Sequence, residues 1–160
     1  MSVLLFAELS EGRVRKSTVE AACYARNLGA TVAAVALGPA EPGALEELGK
    51  YGVSVVLHAA DARFAQGHLL AATTAVAAAM EQTGADTLVA AGTSLATQMA
   101  ARLSVRIKAS LVTGISEAPS GNGYRRPIFT GKAFARVEAS GAKRILTLKK
   151  NAAEVTEHPV

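Results

Sequence analysis

The residues best placed to hold a phosphate are Gly92-Thr93-Ser94, which lie between an apolar run and a helix-patterned segment. A helix N-terminus presents unpaired N–H groups to an anion, and open α/β folds bind ligands outside the carboxyl ends of their strands. The same three residues also have a structural reading, in which Gly92 makes the turn and Thr93 or Ser94 caps the helix. No G-x-G-x-x-G or Walker pattern accompanies them, so capping is the preferred reading. His58, His68 and His158 share no H-x-x-x-H spacing, and the single Cys23 excludes both an internal disulfide and a multi-cysteine zinc site. No base is nominated to activate Cys23, which reads as a small core residue beside Val19 and Ala22. Glu8 and Asp86 are isolated acids at strand ends, for which a structural role is expected. No catalytic or metal-ligating residue emerges.

The most strongly charged stretch is Arg125-Arg126-Pro127 with Lys132, Arg136, Lys143, Arg144, Lys149 and Lys150, in which Glu138 is the only acid. Arg125, Arg126, Lys132 and Arg136 are the candidates for a surface that meets an acidic partner. Cations on exposed strands also prevent sheet-to-sheet aggregation, and the two uses are compatible. The formal net charge of +4 raises the question of nucleic acid. Only 4% of the residues are aromatic and none interleave with the cations, so no ladder exists for stacking bases and no nucleic-acid partner is expected.

These groups must be positioned by a chain of 160 residues, half of them hydrophobic, with no tryptophan. That length suits one domain with a substantial core. Met1 to Phe6 has no charged n-region. The longest apolar stretch, Leu69 to Met80, is interrupted by Thr73 and Thr74 and falls short of the ~20 residues needed to span a bilayer. A soluble, cytoplasmic protein without membrane insertion is expected.

Val3 to Ala7, Thr31 to Leu37, Val53 to Ala59 and Thr87 to Ala91 read as strands. Runs that are apolar at successive positions suit a sheet covered on both faces. Ser17 and Glu20 form an S-x-x-E capping box, which starts a helix that Gly29 should stop. Pro42, Leu45, Leu48 and Lys50 predict a second helix, closed by Gly52. The segment from about Gln66 to Thr83 predicts an alanine-rich helix closed by Gly84, and Leu95, Met99 and Leu103 make a further helical stripe. This alternation implies a three-layer α/β/α domain with a mainly parallel sheet, the adenine nucleotide alpha hydrolase-like class. Beyond Leu111, the runs Leu111 to Ile115, Tyr124 to Phe129, Ala133 to Val137 and Ile145 to Leu148 have no helix between them. Turn signals at Ser120 to Gly123, Gly131-Lys132 and Ser140-Gly141 separate them, which predicts an antiparallel meander. Asn151 to Val160 is polar and reads as a tail or the start of a linker.

Three stretches resemble electron transfer flavoprotein alpha subunits. They are Val3-Leu4-Leu5-Phe6-Ala7-Glu8, then Ala90 to Ser94 continuing through Met99 to Leu103, and Arg126-Pro127-Ile128-Phe129-Thr130-Gly131-Lys132-Ala133 continuing through Arg144 to Leu148. In this order and spacing they span nearly the whole chain. The resemblance implies that residues 1–150 are the N-terminal domain of such a subunit, and that 151–160 leads toward an FAD-binding domain outside these residues. It further implies a heterodimer with a beta subunit that carries structural AMP, and electron transfer from flavin dehydrogenases to a quinone reductase or other acceptor. No FAD ligand maps onto any residue of this sequence. The alternative is a free-standing adenine-nucleotide-binding protein of the stress-protein-like fold, although such domains usually bring a longer glycine-rich phosphate loop.

Overall fold

The structure, a computed structural model, describes residues 2–28, 31–121 and 123–160. Strands β1 (Val3–Ala7), β4 (Val32–Leu37), β5 (Val53–Ala59), β6 (Thr87–Ala91), β7 (Ser110–Ile115) and β10 (Arg144–Leu148) form one six-stranded sheet. Its order is β5-β4-β1-β6-β10-β7, and every pairing is parallel. Strands β1 and β6 are buried at every position, because helices cover both faces.

Helix α1 (Lys16–Asn27) covers one face with Ala21, Ala22, Tyr24 and Ala25, against Leu5, Val89 and Leu146. Helices α2 (Leu69–Thr83) and α3 (Ser94–Ile107) cover the other, where Val76, Met80, Met99 and Leu103 pack on Leu4, Leu88 and Ile145. Alanines let the helices lie close to the sheet, which is how a core with few aromatics fills its volume. Gly84 ends α2 in the left-handed conformation (φ 64°), as its position predicts. The predicted stop of α1 at Gly29 lies outside the described residues; within them, Leu28 closes that helix.

Three local expectations are corrected. The Ser17/Glu20 box does not form: Arg15 is the N-cap of α1 and makes no side-chain cap bond. The Glu20 carboxylate instead accepts the Asn151 backbone N–H at 2.9 Å, so a tertiary partner takes the acid the box needed. The helix expected from Pro42 is only a 3-10 segment, Glu46–Tyr51, closed by Gly52 at φ 90°. Gly43 and Gly49 lower the helix propensity there, and six residues cannot offset the cost of nucleation.

The meander is the third. Of its four runs, only β8 (Gly123–Ile128) and β9 (Ala133–Glu138) pair antiparallel, as a hairpin, while β7 and β10 join the parallel sheet. Ile145 to Leu148 is buried throughout, so β10 needs cover on both faces and inserts between β6 and β7. The hairpin thus serves as the crossover a helix usually provides. A smaller hairpin, β2 (Leu9–Ser10) with β3 (Arg13–Val14), links β1 to α1. The polar residues after Asn151 lie back over α1: Arg26 donates to the Thr156 carbonyl and hydroxyl at 3.1 and 2.9 Å, and the His158 N–H donates to the Lys50 carbonyl at 2.6 Å.

Candidate functional site

In the strand order the chain leaves β1 in one direction toward β4 and β5, and in the other toward β6. The carboxyl ends of β1 and β6 therefore form the switch point where open α/β sheets bind ligands. Glu8 follows β1 there, and Gly92 and Thr93 follow β6.

The structure brings these residues together. The Thr93 hydroxyl donates to Glu8 Oε2 at 2.5 Å and accepts the Ala96 N–H at 3.2 Å, so Thr93 is the N-cap of α3. Arg15 Nη1 lies 3.3 Å from Glu8 Oε1. The backbone of Glu8 is tied as well: its N–H donates to the Thr18 hydroxyl at 3.2 Å, and its carbonyl accepts the Arg15 N–H at 3.2 Å. A carboxylate near a helix N-terminus is favoured by the helix dipole, and here the acid belongs to the chain itself. Gly92 donates its N–H to the Leu148 carbonyl at 2.8 Å. A Cβ at Gly92 would fall 2.5 Å from that oxygen, so glycine admits the end of β10 rather than a ligand.

The capping reading makes a sharp prediction. Thr93→Ala removes both the cap and the donor to a mostly buried carboxylate, and should cost about 1–2 kcal/mol in urea denaturation. Ser94→Ala should cost far less, because Ser94 Oγ only accepts an exposed contact from Gln98 at 3.2 Å. Equal losses at the two positions would refute this assignment of the cap.

Two clefts flank the Glu8–Thr93 pair. One, of about 530 Å³, opens between the ends of β1 and β4, with Phe6, Leu37, Phe64 and Leu95 as apolar lining and Glu8, Glu11, Arg15 and His68 as its titratable groups. The other, of about 320 Å³, lies beside Gly92 and Thr93 and carries Arg15, Lys149 and Lys150 opposite Glu20.

The remaining sequence candidates are dispersed. His58 Nε2 lies 2.8 Å from the Gly38 carbonyl, and His68 precedes α2 without a side-chain cap bond. Cys23 is buried, with Sγ 3.6 Å from the Thr156 carbonyl. Asp86 accepts the Thr87 hydroxyl at 2.7 Å. No group of three or more His, Cys, Asp or Glu among the described residues could hold a metal ion. None of their helices is long and apolar enough to cross a membrane.

The basic stretch is not one patch. Arg125 and Arg136 are cross-strand partners on the outward face of the hairpin, whereas Arg126 sits on the inward face with Tyr124 and Ile128. Arg125 is ion-paired with Glu117 at 3.0 Å and lies 3.9 Å over the Phe134 ring. Lys132 follows the hairpin tip, while Lys149 and Lys150 belong to the cleft beside Gly92. Sequence reading missed Arg15, Thr18 and the Leu148 carbonyl. It treated Glu8 as isolated, although parallel neighbours β1 and β6 bring Glu8 beside Thr93.

A three-layer parallel α/β domain whose switch-point crevice is occupied by its own carboxylate is the class this geometry defines. The sequence matches the electron transfer flavoprotein domain over residues 3–159, and the chain belongs to that family. It is 30% identical over 94% of its length to the electron transfer flavoprotein subunit alpha of Syntrophomonas wolfei. Against the subunits of the same name from Bacillus subtilis and Paracoccus denitrificans, identity is 24% over 97% and 29% over 93% of the chain. The chain spans about half the length of these relatives: 49%, 49% and 48%.

Proposed function

We propose that this chain is the N-terminal domain of an electron transfer flavoprotein alpha subunit, that it scaffolds the complex, and that it pairs with a beta subunit. In this reading the complete protein carries electrons from flavin dehydrogenases to a quinone reductase or another acceptor. The redox FAD is held by a further alpha domain, and AMP by the beta subunit. The family match over residues 3–159 carries the proposal.

The chemistry of the switch point supports placing the flavin elsewhere. A pyrophosphate needs free backbone donors and cations. The N–H groups of Gly92, Thr93 and Ala96 already have acceptors, and the Glu8 carboxylate stands where negative charge would have to enter. These residues do not fit FAD, so no redox step is assigned to them. The 530 Å³ cleft favours the alternative, an adenine-nucleotide site. Its two carboxylates against one guanidinium speak against a polyphosphate there.

Purified alone, the 160-residue chain should be colourless, with no absorbance near the flavin bands and no heat of binding with AMP, ADP or ATP. Joined to the remainder of an alpha subunit and co-expressed with the beta subunit, it should give a yellow, redox-active heterodimer. Stoichiometric FAD on the chain alone would overturn this placement of the cofactor. A full-length pair without flavin would count against the alpha-subunit reading. Submillimolar nucleotide affinity would favour the alternative.

A further inference from the structure

The tip of the β8–β9 hairpin carries a residue that the fold does not explain. Phe129 is 76% exposed, and its φ is 49°. Thr130 and Gly131 follow at 55° and 86°, so three successive residues are left-handed. A bulky aromatic in that region is a conformational outlier, and glycine or asparagine would make the turn with less strain. Exposure means the ring returns little burial to the fold. An outlier of this kind, on a large exposed hydrophobe, motivates a functional reading.

The base of the hairpin is fixed while the tip is not covered. Tyr124 is 3% exposed in the core beneath α1, Val137 packs against the same cluster, and the Arg125 carbonyl accepts the Ser116 N–H at 3.0 Å. A rigid stalk holds the ring in place before any partner arrives, which lowers the ordering cost of binding. Beside the tip, the exposed Lys132 has no carboxylate partner among the described residues, whereas Arg125 is paired with Glu117. Arg136, opposite Arg125 and nearer the base, donates to the Ser120 carbonyl at 2.8 Å. An aromatic anchor beside an unpaired cation is complementary to an apolar pocket with an acidic rim.

We propose that the β8–β9 hairpin is a docking arm, with Phe129 as the anchor that enters an apolar, acid-rimmed pocket on the beta subunit, and with Lys132 meeting the rim. This rests on the alpha-subunit reading above and deepens it. A protein fits better than a nucleic acid: Arg125 covers one face of the Phe134 ring, which leaves Phe129 without a neighbouring aromatic to continue a base stack.

The test is binding of the chain to the beta subunit encoded by the same organism, measured by calorimetry with three variants. Phe129→Asn tolerates the left-handed backbone, so its melting temperature should equal or exceed wild type while affinity falls at least tenfold. Lys132→Glu should weaken binding and flatten its salt dependence. Val105→Asn, at an 80%-exposed position on α3, should leave affinity unchanged. Wild-type affinity in Phe129→Asn overturns the anchor, and an equal loss in Val105→Asn moves the interface to the helical face. Absence of binding by the wild-type chain defeats the pairing reading itself and this inference with it. Binding of a single-stranded oligonucleotide that Phe129→Asn abolishes would make the partner a nucleic acid and overturn the proposal.

Discussion

Replacing Gly92 with alanine should cost about 3 kcal/mol or more, although only one methyl group is added. Gly92 N–H donates to the Leu148 carbonyl at 2.8 Å, immediately beyond the Ala91–Leu148 register pair, and the new Cβ would lie 2.5 Å from that oxygen. Relief requires β10 to retreat from β6 or α3 to tilt away. β10 is held on its far side by β7, and the Lys149 N–H donates to the Ile115 carbonyl at 2.7 Å. Tilting α3 would pull Thr93 from Glu8. Overpacking costs typically 1–3 kcal/mol, and the upper end applies because the opposing atom is backbone. Gly49→Ala is the matched control: its Cβ meets nothing within 4 Å, so it should be neutral or stabilise by about 0.4–1 kcal/mol. Urea denaturation of the two variants checks the pair. If Gly92→Ala unfolds at the wild-type midpoint, the strand ends are farther apart than described.

The same position shows how much of the site was legible in the sequence. Glycine, threonine and serine after an apolar run mark a strand-to-helix turn by composition alone, and Thr93 does cap α3. The acceptor that makes glycine necessary is a carbonyl 56 positions away, on a strand whose place in the sheet local sequence does not encode. Glu8 and Thr93 are 85 residues apart, and only the adjacency of β1 and β6 joins them. Strands β1, β4 and β6 were readable because cover on both faces leaves an unbroken apolar run, and the edge strand β5, with Ser54, Val55 and His58 exposed, by its valines. β10 has such a run too, but the hairpin before it lacks a helix, and that absence suggested antiparallel pairing. Ser17 and Glu20 have the right spacing for a capping box, yet Glu20 takes the Asn151 N–H instead. Short motifs state what a residue can do locally, and tertiary partners decide among those options. Phe129 differs again: ending the run Tyr124 to Phe129, it reads as a strand residue, whereas the backbone turns at that position.

The largest loss is expected at the centre of the sheet, from Val89→Asp. Val89 is fully buried on β6, opposite Leu5 of β1 and Leu146 of β10, which are also fully buried. Its side chain lies in the cluster beneath α1 with Ala21, Ala22 and Tyr24. The Tyr24 hydroxyl is the nearby polar atom without a partner among the described residues, and burial, aided by Tyr124, pushes its phenol well above the ordinary tyrosine range. A buried hydroxyl without a partner marks a layer with few groups to stabilise negative charge. An ionised aspartate would be stranded there, and a protonated one would still lack adequate hydrogen bonds. Either state should cost more than about 4 kcal/mol, comparable with the whole stability of a domain this size. The variant should therefore fail to accumulate as folded protein. Val55→Asp makes the same change on the edge strand β5, where the side chain is 53% exposed, and should cost no more than about 1 kcal/mol. Because the two sites share residue type, substitution and sheet, the difference between them measures burial at the centre of the sheet against exposure at its edge. Circular dichroism melts of both variants decide it, and similar melting temperatures would refute the central, buried place of β6 that brings Thr93 beside Glu8.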